Sequence, residues 1–328
     1  MAAAPASPNN RAAVRIGIDL GGTKIEGAAF ARDDTAAGRE VARQRIAAPR
    51  GDYAATIEAM AGLAGDLEAQ ARDAIEVRTG HSPAGRGGTV FGIGMPGSIA
   101  PASGLVQNAN STWLNGRPFS RDLQARLGRP VRLANDANCF AMSEATDGAG
   151  AGAGSVFGVI LGTGCGGGIV LGQRLVDGPR SIGGEWGHNP LPWSMADEHP
   201  GPRCWCGRRG CMETWVSGTG LAADHARVTG EALDAAEIAQ RAMGGDAASR
   251  ATLARHASRL ARGLAHVVNL IDPEVIVLGG GLAKLAGLYD VLPGLMAPHI
   301  FADAPTVRVL PPRWGDASGV RGAAWLWP

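Results

Sequence analysis

Cys204-x-Cys206-x4-Cys211, with His188 upstream, sets three thiolates and an imidazole close together in the chain. That donor set makes a tetrahedral zinc site, and with all four positions filled by protein the metal is structural. Residues 185–213 are rich in Trp, Pro and Cys and have little regular apolar pattern, so zinc would supply stability that a core does not. The alternative is a loop of reduced cysteines. The other two of the five cysteines, Cys139 and Cys165, read as small core or turn residues. An odd count argues against a disulfide framework.

Two glycine turns carry a different chemistry. In Asp19-Leu20-Gly21-Gly22-Thr23-Lys24 the glycines let backbone N–H groups approach a phosphate, while Thr23 and Lys24 add a hydroxyl and a cation. Asp19 at the strand end could hold Mg²⁺ through water. A plain β-hairpin turn is the competing reading, and GxxxxGK[ST] is absent. The second turn, Gly162-Thr163-Gly164-Cys165-Gly166-Gly167-Gly168, formally satisfies GxGxxG. A dinucleotide fingerprint must open a helix, yet Ile169-Val170-Leu171 reads as a strand, so a phosphate-gripping hairpin fits better. Gly279-Gly280-Gly281 follows a third strand and either passes close to an adenosine or turns the chain into a helix.

Asn135-Asp136-Ala137-Asn138 lies where a strand enters a helix. Asp136 there is either a general base for a hydroxyl or a helix N-cap. Glu185, His188 and Glu213 flank the cysteine segment and suit a polyhydroxylated ligand. Asn108, Asn110 and Asn115 in QNANSTWLNG offer further amides, with Asn115 better read as solvated surface.

These residues need elements to hold them. VRIGIDL and IEGAAF read as strands of a hairpin around the first turn, and residues 53–77 carry helical spacing. TVFGIGM is a strand, PFSRDLQARLG a short helix closed by Gly128, VRLAN a strand and 137–149 a helix. SVFGVIL and GGIVLGQRLV form a second glycine-linked hairpin; from Glu213 to about 271 the chain is mostly helical, and VIVLG is a buried strand feeding a helix from Leu282. The same plan starts at Val14 and again at Ser155, which points to duplicated α/β domains with a cleft between them.

Composition removes several function classes. Thirty-one Lys and Arg against 30 Asp and Glu give a net charge of +1, no invitation to nucleic acid or an anionic membrane. No apolar run is long enough to span a bilayer, and MAAAPASPNN lacks the pattern of a secretory signal, so a cytoplasmic location is expected. With about thirteen residues before the first strand, a helix-turn-helix has no room.

The ordered set DLGGTK, GMPGS, NDANC, GTGCGGG, GEWGH, CWCGRRGCME and VIVLGGG resembles the ROK family of sugar kinases, over residues 14 to the C-terminus. GSIAPASGLVQNANSTWLNGRPF, GEWGHNPLPW and SGVRGAAWLWP resemble its bacterial fructokinases, or manno(fructo)kinases. The resemblance implies a two-domain α/β fold of the actin-like, hexokinase and Hsp70 (ribonuclease H-like) ATPases with an interdomain cleft. The expected division is a disordered tail at 1–13, a first domain at 14–134 completed by a C-terminal helix near 316–328, and a second domain at 135–315. It also implies phosphoryl transfer from ATP with Mg²⁺, fructose as the substrate, other hexoses as the alternative, and a homodimer. Carried over by motif, Asp136 is the base, and Asn110, Asn135, Asp136, Glu185, His188 and Glu213 hold the sugar. Asp19, Gly21, Gly22, Thr23, Lys24, Gly162, Thr163 and Gly164 handle phosphates and metal, Gly280 and Gly281 lie near adenosine, and His188, Cys204, Cys206 and Cys211 bind zinc.

Overall fold

The computed structural model describes residues 13–32, 38–79 and 88–327. The expected tail, apart from Ala13, and the interior of the loop at 79–88 lie outside the described residues. The chain divides into two units: one runs through Ala151 and includes 177–183 and 316–328, and the other comprises Gly152–Val176 and Gly184–Gly315.

The first unit opens with β1 (Val14–Leu20), β2 (Lys24–Ala31), β3 (Arg39–Ala47), α1 (Tyr53–Thr79), β4 (Thr89–Met95), β5 (Ser98–Ile99) and β6 (Val106–Gln107). It continues with α2 (Phe119–Leu127), β7 (Val131–Asn135) and α3 (Asp136–Thr146). The second contributes β8 (Ser155–Leu161), β9 (Cys165–Leu171), β10 (Arg174–Leu175), α4 (Glu213–Val216), α5 (Gly218–Thr229), α6 (Ala235–Met243), α7 (Ala247–Ile271), β11 (Val275–Gly279), α8 (Leu288–Met296) and β12 (Arg308–Leu310). The chain then returns to the first unit as α9 (Ser318–Ala324).

The duplicated plan is visible in the sheets. The first has the order β3-β2-β1-β4-β7 and the second β10-β9-β8-β11-β12. In each, an antiparallel hairpin is followed by two strands that extend it in parallel: β1 with β4 and β4 with β7, then β8 with β11 and β11 with β12. Strands β3, β5, β6 and β12 were not expected from the sequence. β3 is half exposed along its length and β12 has three residues, so neither carries the apolar run of a buried strand.

The boundary expected after residue 134 falls instead after Ala151. The reason is α3, which packs on α9, β4 and β7 and so belongs to the first core. The expected C-terminal helix does complete this unit, and glycine makes it possible: a Cβ on Gly17 or Gly92 would collide with the α9 backbone, and one on Gly322 with the backbone of Cys139. Trp327 Nε1 donates to the Phe91 carbonyl at 2.6 Å, and Arg321 pairs with Asp147. On the other face α1 buries Ile57, Met60, Leu63 and Leu67.

In the second unit α7 buries Leu260, Leu264 and Val268 in a core with Val159, Trp215, Ile276 and Leu278. The helix expected from Leu282 is a single 3₁₀ turn, Gly281–Lys284; extended Leu285 and left-handed Gly287 interrupt it, and α8 starts at Leu288.

Candidate active site

Register places the first group of residues. Parallel β1, β4 and β7 end near one edge of the sheet, with Asp19 paired to Gly94 and Met95 to Asn135. Their carboxyl ends are where α/β sheets bind ligands. After Leu20 the chain turns tightly, the Gly21 N–H bonding the Lys24 carbonyl at 2.9 Å, which puts Gly22 and Thr23 at the tip. Asp19 lies opposite Glu26 on β2. Glu26 is buried; burial opposes its charge, but bonds from Arg43 and Arg45, both 2.8 Å, hold its carboxyl below the usual range. Lys24 reaches the same carboxylate at 3.7 Å.

Asp19 behaves differently. Burial first, then the charges of Asp136 and Glu26, push its carboxyl up to about 7, with Lys24 opposing. Asp136 is the first residue of α3. The cap proves to be Asn135, whose Oδ1 accepts the Ala137 N–H at 2.9 Å, which leaves Asp136 as the first residue inside the helix. Asp136 keeps a solvent-accessible face, and its Oδ1 also accepts from Ala137 N at 2.8 Å. Desolvation by the surrounding protein nonetheless raises its pKa above the ordinary value. Two carboxylates that repel each other in a poorly solvated place favour a divalent cation or a proton. A hydrated Mg²⁺ fits that donor set.

Asn110 is exposed on the loop after β6. Asn115, read from the sequence as solvated surface, is the residue that shapes this loop: its side chain accepts from Ala109 N and donates to Ala109 O, both at 2.9 Å. The repeated Asn spacing was the available signal for such an internal brace.

In the second unit the Gly162–Gly164 turn joins β8 to β9. Glu213, at the start of α4, accepts the Cys165 N–H through Oε2 at 3.0 Å. A Cβ at residue 164 would come within 2.7 Å of that oxygen, so glycine is needed for the carboxylate to reach the turn. Gly162, Thr163 and Gly281 line a cavity of about 880 Å³ together with Gly218, Thr219 and Lys284, and alanines of α6 form a wall. Gly280 does not line it; with φ 83° it turns the chain against the Leu161 backbone. Gly218 and Thr219 were not expected at a site, although Ser-Gly-Thr-Gly at a helix start is a readable signal. Ser217 caps α5, and the Thr219 hydroxyl bonds the Thr163 carbonyl at 2.8 Å.

His188, Cys204, Cys206 and Cys211 come together as expected, their ligand atoms all within 4.8 Å of one another. His188 Nδ1 and Cys204 Sγ are 3.6 Å apart, as are Cys206 and Cys211 Sγ. Such separations suit ligands on one tetrahedral ion. Glu185 precedes the 3₁₀ turn Trp186–His188 and is exposed. A second anchor was not foreseen: Glu198 bonds Arg259 and Arg262 of α7 at 2.7–2.8 Å, with all three side chains buried. Arg259 also pairs with Asp224 at 2.9 Å and lies 4.4 Å over the Trp215 ring. Burial works against the Glu198 charge, but the arginine bonds prevail and bring its pKa down to about 2.

The model of the ROK family matches residues 15–328. An N-acetyl-D-glucosamine kinase of Photobacterium profundum is 38% identical over 314 residues, covering 94% of this chain and 98% of that protein. Another, from Vibrio cholerae, is 37% identical with the same coverage. Among solved structures, a ROK hexokinase from Thermus thermophilus aligns with a TM-score of 0.80 and 31% identity, over 96% of this chain and 97% of that one. A ROK glucokinase from Streptomyces griseus, in complex with glucose and AMPPNP, aligns with a TM-score of 0.69 and 27% identity, over 96% and 99%. Two like-ordered sheets, glycine turns at matching hairpins and near-complete coverage agree: this chain belongs to the ROK family of sugar kinases and has its mixed α/β, actin-like fold.

Proposed function

We propose that the protein transfers the γ-phosphoryl group of ATP to a hydroxyl of a hexose, with Asp136 as the general base. The observation that carries this is Asp136 itself, placed just inside the helix that Asn135 caps, its pKa raised by desolvation, and its charge felt by a strand-end carboxylate, Asp19. A carboxylate of raised pKa is a better acceptor for a hydroxyl proton. As the sugar oxygen bonds to the γ-phosphorus, its proton passes to Asp136, the bond to the β–γ bridging oxygen breaks, and ADP leaves. Asp19 would hold Mg²⁺ through water, and Mg²⁺ when bound neutralises charge on the phosphate oxygens. The turn at Gly21–Lys24 in one unit and the turn at Gly162–Gly164 in the other offer N–H groups to phosphates. The cavity lined by Gly281 and the α6 alanines suits the nucleoside.

In the first unit Asn110 and Asn135, and in the second Glu185, His188 and Glu213, are the proposed sugar-binding groups. Zinc held by His188, Cys204, Cys206 and Cys211 would fix the segment that carries them. Its structural role is supported by the closed four-donor set.

The fructose expectation gives way to N-acetylglucosamine as the favoured sugar, because the curated relatives described above are N-acetyl-D-glucosamine kinases at 37–38% identity. Fructose remains the second reading on one observation, the GEWGHNPLPW segment with Trp186 buried against Phe157 at 5.6 Å between ring centroids. ADP release from Mg·ATP with N-acetylglucosamine, fructose, mannose and glucose separates them. The largest kcat/KM is expected with N-acetylglucosamine. A preference for fructose restores the second reading, and no turnover with any of the four removes the kinase assignment.

A further inference from the structure

Trp205 occupies an unusual place. It is the single residue between the thiolates of Cys204 and Cys206, and 66% of its surface is exposed. A large aromatic ring in water at such a point needs a reason. Its indole Nε1 donates to Glu213 Oε1 at 2.7 Å. Its ring meets the His188 imidazole edge to face, with centroids 4.9 Å apart and planes at 86°. Glu213 Oε2 is taken by the Cys165 N–H, so the carboxylate is clamped from both ends, by the glycine turn and by the indole. The imidazole is fixed likewise, with Nδ1 toward Cys204 and its ring perpendicular to that of Trp205.

We propose that Trp205 is a positioning residue for sugar binding, coupling the metal site to the Glu213 carboxylate. The inference rests on the reading that Glu213 holds sugar hydroxyls. A backbone pinned at both neighbours by metal ligation gives the indole one location. From there its N–H orients the Glu213 carboxylate, and a hydrogen bond to a carboxylate is of the stronger kind. The exposed ring face beside Glu213 and His188 is also an apolar wall for the C–H face of a hexose. Without metal, Cys204 and Cys206 are released and the indole loses its anchor, so sugar affinity falls before the fold does.

The test is Trp205→Phe, which keeps a ring and removes the N–H, beside Trp205→His, which restores a donor, and Glu213→Gln. Sugar KM and sugar Kd by calorimetry are measured with ATP KM, bound zinc and Tm. Trp205→Phe should raise sugar KM and Kd about tenfold, the size expected for a hydrogen bond to a charged group. ATP KM, zinc content and Tm should hold, and Trp205→His should recover part of the loss. Chelation of the wild type at a temperature where it stays folded should weaken sugar binding at least tenfold, and by a smaller factor in Trp205→Phe, where the indole bond is already gone and only the release of His188 and its segment remains. An equal factor in both would mean that the metal does not act through the indole. If Trp205→Phe leaves sugar affinity unchanged while Glu213→Gln lowers it, the proposal fails and the Glu213 reading stands. If Glu213→Gln also has no effect, the reading beneath it fails. If Trp205→Phe loses zinc or Tm in step with affinity, the residue is structural and the proposal is overturned.

Discussion

Two groups of crowded carboxylates show what separates a carboxylate kept for stability from one kept for chemistry. In the second unit, Glu198 and Asp224 are enclosed by Arg227, Arg255, Arg259 and Arg262. Both have lowered pKa values, because arginine bonds outweigh the burial that opposes their charge. In the first unit, Asp19 and Asp136 face each other's charge, Asp136 is bonded by neutral amides, and both pKa values are raised, burial being the larger cause. The arginine-filled group is complete in the chain as it stands. The other is short of positive charge, a shortage that Mg²⁺ and a transferring proton would relieve.

The sharpest way to break this comparison is Asp136→Asn. It removes the proposed base while keeping the shape, and kcat should fall by about 10³, within the range for loss of general-base catalysis, with nucleotide affinity retained. A kcat near wild type would end Asp136's distinct standing. Next comes Glu198→Gln. Leaving buried arginines without their carboxylate should cost about 3 kcal/mol and lower Tm by roughly 10 °C. The sign with pH follows from a folded pKa near 2, below the ordinary 4.5: the contribution is whole above about 4.5 and lost as pH falls toward 2. The wild-type advantage in Tm should therefore shrink on acidification.

Asp19→Asn should do the reverse. With a folded pKa near 7 against an ordinary 3.8, ionisation of Asp19 opposes folding as pH rises through that window. The variant's Tm, measured without nucleotide or Mg²⁺, should match wild type near pH 4 and exceed it by about 2–5 °C above pH 7. A variant less stable at pH 8 would mean that Asp19 is a structural carboxylate like Glu198. The smallest effect is expected from Asn115→Ala, which unpins Ala109 from both sides; sugar KM should rise about threefold with Tm little changed, read from the same assay.

How much of this was legible in the sequence depended on the range of the interaction. The glycine turns, the Cys₃His cluster and the two hairpins are local patterns, and the structure holds them where the chain suggested. That Asn135 and not Asp136 holds the cap position was not legible, since the two are equally good caps and only backbone geometry chooses between them. Glu198 and Arg259 are far apart in the chain, and an arginine on an Ala-rich helix reads as a solvated face until the fold brings its acid. The unit boundary was misplaced because α3 follows a strand end that looks like a natural break, while its packing on α9 is decided by residues at the far end of the chain. Trp205 was hidden by the cysteines on either side, which drew the whole meaning of the segment to the metal.

The glycine seam beneath α9 has a consequence in time. The second unit's two segments both emerge from the ribosome before Ser318, so its sheet and α7 can form during synthesis. The first unit begins earlier and finishes later. Strands β1 and β4 carry bare glycine backbone where α9 must lie, and that surface waits uncovered while the entire second unit is made. The unit that bears Asp19 and Asp136 is thus completed only after the whole of the second unit has been made, although its strands β1 and β4 precede it in the chain.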